Sequence, residues 1–281
     1  MEGEIFKDIR KGKGLSLEFV SAGISSSTSL SEFELGHRDI PLRKLVKMLN
    51  KMDISISEYA LAIDKKLNRN DKFLELLAQN YSQNNPFKIK KQALENLKIY
   101  RSTDSKYEFF NYMMAANFYS DLTGKRLASK EDVSRLQNIM FDTQRWGIRE
   151  IQVFGNTLIL MNNELIFSLC QELLEKMEDI SSNYLLAVDA WNAIFNAFQV
   201  LIIRGSEKAR LLNKRLAIME FPESLPLISY QLSFLQDILK FKTTSDAYIK
   251  DRLDQSIEHL KERNCSKLAS RLSNILASIS D

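Results

Sequence analysis

The feature that most restricts the fold is the helical spacing of apolar residues, which continues with few interruptions from residue 70 to the end of the chain. Glycine and proline are both absent between Gly155 and Gly205, so nothing in this long stretch favours a turn. No segment after residue 70 alternates apolar and polar residues as a half-buried strand does. The sequence therefore predicts an all-α protein with long helices.

The number and length of these helices predict a repeat architecture. About eleven helices of roughly 12 to 20 residues follow residue 70, at about two per 35 to 45 residues, which is typical of stacked helical hairpins. The strict tetratricopeptide consensus is missing, so the predicted repeats are divergent. Such an array curves, and its concave face suits an extended peptide better than a small metabolite. We expect a tetratricopeptide-like helical-repeat solenoid over residues 71–281.

The first 66 residues have short elements and tight turns, since five of the nine glycines lie within the first 36 residues. Two short amphipathic segments within Ser16–Leu35 flank Gly23, which can supply the positive φ of a sharp corner. This pattern predicts a helix-turn-helix domain over residues 1–66, with Ser25 or Ser26 capping its second helix. A generic bundle of short helices that does not contact DNA is the alternative.

If the helix-turn-helix binds DNA, its second helix presents short polar side chains and one glutamate to the major groove. Cations beside it would contact phosphates, although a solvated basic surface explains the cluster of Arg10, Lys11 and Lys13 equally well. The predicted contacts with double-stranded DNA are Arg10, Lys13, Ser16, Ser26, Ser27, Thr28, Ser29, Glu32, Arg38 and Arg43.

Two stretches of the predicted solenoid carry polar groups that need partners. One is Trp146–Asn156; the other is a helix, otherwise apolar, in which Asp189, Asn192 and Asn196 share one face. Hydrogen bonds between core helices and a row of amides that holds a peptide backbone explain this pattern equally well. On the second interpretation Arg149 pairs with a carboxylate. The predicted peptide-binding residues are Trp146, Arg149, Asn156, Asp189, Asn192 and Asn196.

Composition limits the remaining function classes. The net charge of +3 is too small to predict nucleic-acid binding from bulk electrostatics, so DNA affinity would depend on local clusters. No uninterrupted apolar run approaches the roughly 18 residues of a membrane span, and the N-terminus lacks an apolar signal segment. We therefore expect a cytoplasmic protein without a membrane partner.

The sequence favours a protein that is not an enzyme. Its two cysteines, Cys170 and Cys265, cannot form a disulfide framework or a four-cysteine zinc site. Its two histidines, His37 and His259, lack a second ligand at metal-binding spacing. Phosphate-binding loops, dinucleotide-binding glycine motifs and nucleophile elbows are also missing, so we expect neither a cofactor nor a metal.

Three motifs carry a resemblance to a known family: I-R-K-G-K-G-L-S at residues 9–16, F-E-L-G at 33–36 followed by D-I-P-L, and W-G-I-R-E-I-Q-V-F-G-N at 146–156. With these motifs the chain resembles the Rgg/GadR/MutR regulators of Gram-positive bacteria over essentially its whole length. The resemblance implies a cytoplasmic, homodimeric transcription factor that senses a short peptide pheromone. It further implies a helix-turn-helix of the phage-repressor type, a concave peptide-binding face and subunits paired by the last helices.

The recognition helix departs from the family pattern. Lysine, glutamine and two arginines of that pattern are replaced by Ser27, Ser29, Glu32 and Leu35, so the strong readers of guanine and adenine are lost. A peptide- or protein-binding solenoid with a degenerate DNA module therefore remains the alternative. For the homodimer we expect an interface within residues 246–281, where Leu272 and Ile275 form an apolar stripe at the chain end.

Overall fold

The computed structural model describes residues 1–67, 70–181, 183–219, 221 and 226–280. All regular secondary structure within these ranges is helical, which confirms the all-α prediction. The chain divides into two compact units, Met1–Leu76 and Leu77–Asp281. The helices of the first unit are α1 (Glu2–Gly12), α2 (Leu17–Ser21), α3 (Ser27–Glu34), α4 (Leu42–Lys51) and α5 (Ile56–Leu67).

The remaining helices begin at residue 70. They are α6 (Asn70–Ser82), α7 (Pro86–Thr103), α8 (Lys106–Thr123), α9 (Lys130–Phe141), α10 (Ile148–Gly155), α11 (Asn163–Glu175), α12 (Met177–Ser181), α13 (Tyr184–Ile203), α14 (Glu207–Leu216), α15 (Pro226–Thr244), α16 (Ala247–Glu262) and α17 (Ser266–Ser280). A single 3₁₀ turn, Leu158–Leu160, follows α10.

The core of the first unit is built around Phe6, which is fully buried. The ring of Phe6 meets Phe33 at 5.7 Å and Tyr59 at 6.1 Å between centroids, both edge to face. The Tyr59 hydroxyl donates to the carbonyl of Glu2 at 2.8 Å. Together these contacts join α1, α3 and α5 around a single core.

Helices α2 and α3 form the helix-turn-helix. Gly23 has a φ of +72° between the two helices, in the region that favours glycine. The Ser26 hydroxyl accepts a hydrogen bond from the backbone N–H of Ser29 at 3.1 Å, so Ser26 is the N-cap of α3. Val20 of α2 and Leu30 of α3 are both fully buried in the core. The helical spacing of the sequence therefore predicted both helices and the turn between them.

The second unit is centred on α13. This helix packs against α10, α11, α12, α14, α15 and α17. Helices α7 and α8 form one hairpin and α16 and α17 another, as expected of helical repeats. The unit thus has one long central helix, α13, in contact with six other helices.

Within the described part of the chain, α13 is the one helix that is long and apolar enough to cross a membrane by length and composition, with a mean hydropathy of 1.5. Polar residues interrupt the apolar run of this helix while its mean hydropathy stays high, so the longest uninterrupted run did not indicate it. Of the 18-residue stretch of α13 that meets these criteria, 56% is buried inside the structure. The core helix of a globular domain meets the same criteria, so length and composition are a weak indication of a membrane span.

Candidate DNA- and peptide-binding sites

The helix α3 presents a polar surface outside the core of the first unit. Thr28 is exposed, and Ser27, Ser29 and Glu32 are partly exposed. Arg38, from the loop after α3, donates to the Ser29 hydroxyl at 3.3 Å and lies 3.5 Å from the Glu32 carboxylate. The loop arginine therefore offsets the charge of Glu32, the one acidic residue among the predicted DNA contacts.

Three predicted phosphate contacts remain exposed cations. They are Lys13, Arg38 and Arg43. The ammonium of Lys13 donates to the carbonyl of Asp53 at 3.2 Å, and Arg43 lies in the first turn of α4. All three belong to the same unit as α3, so they can contribute to the same electrostatic surface.

Arg10 was predicted to contact phosphate, and the structure contradicts this. Only 7% of the residue is exposed, and its guanidinium donates to both carboxylate oxygens of Glu34, at 2.6 and 2.7 Å. A third bond reaches the carbonyl of Leu15 at 2.7 Å. The side-chain hydrogen bond to Glu34 holds the guanidinium inside and raises the pKa of Arg10. Arg10 is therefore a structural residue that ties α1 to α3.

Two further predicted DNA contacts, Ser16 and Ser26, are helix N-caps. The Ser16 hydroxyl accepts from the backbone N–H of Phe19 at 3.1 Å, as Ser26 does from that of Ser29. A residue that the sequence analysis missed, Lys51, donates to the last carbonyls of α2, those of Phe19 at 3.0 Å and Ala22 at 2.6 Å. These contacts fix the ends of the two helices, and both serines remain at least partly exposed.

Half of the residues of the central helix α13 are buried, and several of the others form one line along the helix. Six residues of α13, spaced by three or four positions, are partly or fully exposed. This spacing places their solvent-accessible side chains in a line along the helix. We call them the α13 strip: Leu185, Asp189, Asn192, Asn196, Gln199 and Ile203. The strip contains three of the six predicted peptide-binding residues. Asn192 makes no side-chain hydrogen bond to any other residue that the structure describes.

The helix α10 borders the α13 strip. The Asn196 amide donates to the carbonyl of Gly155 at 3.4 Å. Burial raises the pKa of the Asp189 carboxyl, and a hydrogen bond from Gln152 partly opposes this effect. Asn156, which follows the last residue of α10, donates to the carbonyl of Gln152 at 2.8 Å, so one of its two amide N–H groups is already used.

Trp146 is buried between helices, which corrects its predicted role, whereas Arg149 is partly exposed. Trp146 is 6% exposed, and its indole N–H donates to Glu172 at 3.0 Å. The Arg149 guanidinium stacks on the Tyr107 ring at 4.6 Å and donates to the carbonyl of the same residue at 3.1 Å. Its Nε and Nη1 atoms are buried without a hydrogen-bond partner.

The C-terminal stripe, predicted to be uncovered, is also buried within the chain. Leu272 is 2% exposed and Ile275 is 4% exposed. Helix α17 packs on α13, α15 and α16, so earlier parts of the sequence cover the stripe. It therefore offers no apolar surface to a second subunit.

A cavity of about 460 Å³ lies beside α8, α9 and α10. None of the six predicted peptide-binding residues lines it. No group of three or more histidine, cysteine or acidic side chains is arranged to hold a metal within the described ranges.

The comparisons with known proteins agree with this architecture. Residues 87–274 match the profile of the family described as "HTH-type transcriptional regulator Rgg, C-terminal domain". The SHP pheromone receptor Rgg2 of Streptococcus dysgalactiae has a TM-score of 0.73 at 20% identity, over 99% of both chains. A candidate transcriptional regulator of Listeria monocytogenes EGD-e has a TM-score of 0.78 at 19% identity, over 99% of this chain and 96% of the other.

A third match is the complex of PrgX with cCF10, with a TM-score of 0.71 at 14% identity over 99% of both chains. At these identities the matches show a shared fold. They confirm the predicted order, a helix-turn-helix followed by tetratricopeptide-like repeats.

Proposed function

The chain belongs to the Rgg family of helix-turn-helix transcriptional regulators, and on this premise we propose that it is a DNA-binding regulator controlled by a short signalling peptide. The observation that carries the proposal is the combination of a capped α3 with an exposed polar surface and a repeat unit whose central helix keeps an open polar strip. Among structures with the same fold are a pheromone receptor and the PrgX/cCF10 complex. We propose no enzymatic activity and a cytoplasmic location.

In this proposal α3 enters a major groove of double-stranded DNA. Ser27, Thr28 and Ser29 would reach base edges, where hydroxyls are less discriminating than the amides and guanidinium groups that α3 lacks. Lys13, Arg38 and Arg43 would contact phosphates, which position the protein without reading sequence. DNA affinity should therefore depend strongly on salt.

A homodimer completes the proposal. One helix of eight residues covers few base pairs, whereas dimeric readers place two such helices roughly 34 Å apart on successive major grooves. Because the apolar stripe of α17 is buried, the proposed interface within residues 246–281 would use the exposed side chains of α16 and α17 instead.

The peptide would lie along the α13 strip. An extended peptide offers one backbone donor and one acceptor per residue, and an asparagine amide can meet one of each. Asn192 has both of its amide groups available, while Asn196 and Asn156 have already used theirs in part. Asn192 is therefore the first residue to test in the strip.

The DNA-binding part is tested by the salt dependence of affinity for a random-sequence duplex. Each phosphate contact contributes about 0.9 to the slope of log affinity against log salt, so R38Q/R43Q should lower the slope by about 2 per subunit. The control is K88Q/K90Q, which removes two exposed charges from the second unit. Equal slopes for both double variants would contradict the assignment of phosphate contacts.

The alternative, a peptide-binding solenoid with a degenerate DNA module, is favoured by one observation: α3 contains neither lysine nor arginine. The salt titration with the random-sequence duplex distinguishes the DNA-binding regulator from this alternative. A wild-type protein that binds no duplex at low salt, yet captures peptides from a pool of synthetic apolar octapeptides, would support the alternative.

The peptide-binding part is tested with Asn192→Ala in that pool. Loss of a buried amide contact should cost about 1 to 3 kcal/mol of peptide affinity, with the melting temperature of the unliganded protein unchanged. A lowered melting temperature with unchanged peptide capture would make Asn192 a structural residue.

A further inference from the structure

Four side chains from distant helices meet beside the α13 strip. Tyr81 of α6 donates from its hydroxyl to the Asp121 carboxylate of α8 at 2.5 Å. Arg271 of α17 donates to the side-chain oxygen of Asn196, which lies in the strip, and the charge of Arg271 acts on Tyr81. We call these four residues the Arg271 cluster. It brings together parts of the chain that are 190 residues apart in sequence, Tyr81 and Arg271.

The two charged residues of the Arg271 cluster, Asp121 and Arg271, differ in the partners that they have. The Asp121 carboxylate has the Tyr81 hydroxyl as a donor. No carboxylate of the described residues lies within ion-pair distance of Arg271, whose hydrogen-bond partner is a neutral amide. By contrast, Arg10 and Arg210 each pair with a glutamate.

Arg271 is also in an unusual environment for an exposed side chain. Its surface is open to solvent, yet surrounding protein desolvates the guanidinium and lowers the pKa of Arg271. Protein atoms therefore lie close to the guanidinium although the side chain reaches solvent. A cation in this position gains more from an anionic partner than a fully solvated cation does.

The geometry leaves most of the guanidinium available. A guanidinium carries five N–H donors in a planar arrangement that fits a carboxylate through two parallel hydrogen bonds. The structure uses one of these donors, on the Asn196 oxygen, which also fixes the orientation of the group. Arg149, the arginine that the sequence assigned to this role, is partly exposed, and its Nε and Nη1 atoms are buried.

We infer that Arg271 binds a carboxylate of the regulatory peptide, beside Asn196 at the edge of the α13 strip. The inference rests on the proposed function. Two sources supply the same chemistry, the free C-terminus of the peptide and an aspartate or glutamate side chain within it. In either case Asn196 acts as a positioning residue that holds the guanidinium toward the ligand.

The experiment uses the full chain and three pools of synthetic apolar octapeptides. The first pool has free C-termini and no acidic residue, the second is amidated at the C-terminus, and the third is amidated with one glutamate at varied positions. Captured peptides are quantified by mass spectrometry. The wild-type protein should capture the amidated pool roughly ten- to a hundredfold less than at least one carboxylate-containing pool, and that pool identifies the source.

Arg271→Gln should remove the preference between pools. The matched control is Arg210→Gln, an exposed arginine of the same unit, which should keep it. Helical circular dichroism verifies that each variant is folded. If R271Q does not fold, Arg271→Lys retains the charge without the planar donor pair and should weaken capture of the preferred pool severalfold while leaving the amidated pool unchanged.

The outcomes separate the inference from the proposed function. A wild-type protein that captures all three pools equally overturns the inference while leaving peptide binding in place. A preference that persists in R271Q, or in R271K at full strength, also overturns it. A wild-type protein that captures no pool overturns the proposed peptide control and this inference with it.

Discussion

Arg10 shows how one residue can determine whether the first unit folds correctly. Its guanidinium and the Glu34 carboxylate are both almost entirely buried, with side-chain exposures of 8% and 3%. Two charges of opposite sign are tolerated in a core only as a pair, because each would be strongly desolvated alone. The two parallel hydrogen bonds also fix the angle at which α1 meets α3.

We therefore expect Arg10→Ala to destabilise the first unit by about 3 to 5 kcal/mol, because it leaves Glu34 buried without a partner. The double variant Arg10→Met/Glu34→Leu removes both charges and should recover most of that loss. Hydrogen exchange of α1–α4 in the full chain measures both effects. If R10A exchanges like the wild type but binds DNA with a lower salt slope, the side chain contacts phosphate after all.

The sequence could not reveal this pair. Arg10 lies next to Lys11 and near Lys13, and such a cluster is typical of both a phosphate contact and a solvated surface. What decides its role is a glutamate 24 residues later, on another helix. Glu34 was visible in the F-E-L-G motif, but only the packing of α1 on α3 brings the two together.

Asp189 provides a prediction about pH. Burial raises its pKa, so the ionised form is disfavoured in the folded protein relative to the unfolded chain. At neutral pH Asp189 therefore lowers the free energy of unfolding, and Asp189→Asn should raise it. The gain should be constant above the raised pKa, shrink as the pH falls through it, and vanish below about 3.9, the ordinary pKa of aspartate.

Urea denaturation of the wild type and D189N over a range of pH measures this difference. The amide introduced by D189N can still accept a hydrogen bond from Gln152, so the substitution changes mainly the charge. An advantage of D189N that grows toward acid pH would show that the carboxylate is stabilised in the fold.

At the scale of the element, the crossing of α1 and α3 depends on Gly3. A Cβ atom added to Gly3 would lie 1.8 Å from the carbonyl oxygen of Phe33, which is far below contact distance. The obstacle is backbone rather than a movable side chain, so one of the two helices must shift. This close approach places the Phe6 ring against Phe33 in the core.

Gly3→Ala should destabilise the first unit by about 1 to 3 kcal/mol or more through overpacking. Gly12→Ala is the matched control, because Gly12 lies in the same helix and a Cβ there would meet nothing within 4 Å. That control should be neutral or stabilising by up to about 1 kcal/mol. Thermal unfolding of the two variants measures the difference, and equal midpoints would show that α1 can move away without cost.

The helices themselves were predictable, while the exposure of their faces was only partly so. Spacing of i, i+3 and i+7 placed Asp189, Asn192 and Asn196 on one face of α13, and the structure has them there. Whether that face is core or open surface depends on which helices leave it uncovered. Both α10 and α17 contact this face at Asn196. No local pattern encodes that Arg271 pairs with Asn196, 75 residues earlier.

At the scale of the whole molecule, the family and the order of the two parts followed from motifs, but the role of the last helix did not. A stripe at the chain end suggests an uncovered surface, since no later residue can pack on it. In this unit, however, the last helix packs back on earlier helices. Leu272 and Ile275 are buried in this way against α13, α15 and α16.

Deletion of residues 264–281 should therefore destabilise the second unit rather than release intact monomers. Leu272, Ile275 and Leu276 are each at least nine-tenths buried, and each contributes about 1.5 to 3 kcal/mol by burial. Their sum is a large share of the roughly 5 to 15 kcal/mol that stabilises a typical protein. The deletion would also expose the apolar side chains of α13, α15 and α16 that α17 covers.

Light scattering and circular dichroism of the truncated protein, against the full chain, measure association and unfolding together. We expect a lower melting temperature and concentration-dependent aggregation. As a control, Tyr248→Ser changes an exposed apolar residue of α16 without touching the core, since that side chain is 71% exposed. A truncated protein that is monomeric, soluble and as stable as the full chain would identify residues 264–281 as the interface between subunits, because only a helix that contributes little within its own chain could be removed without loss of stability.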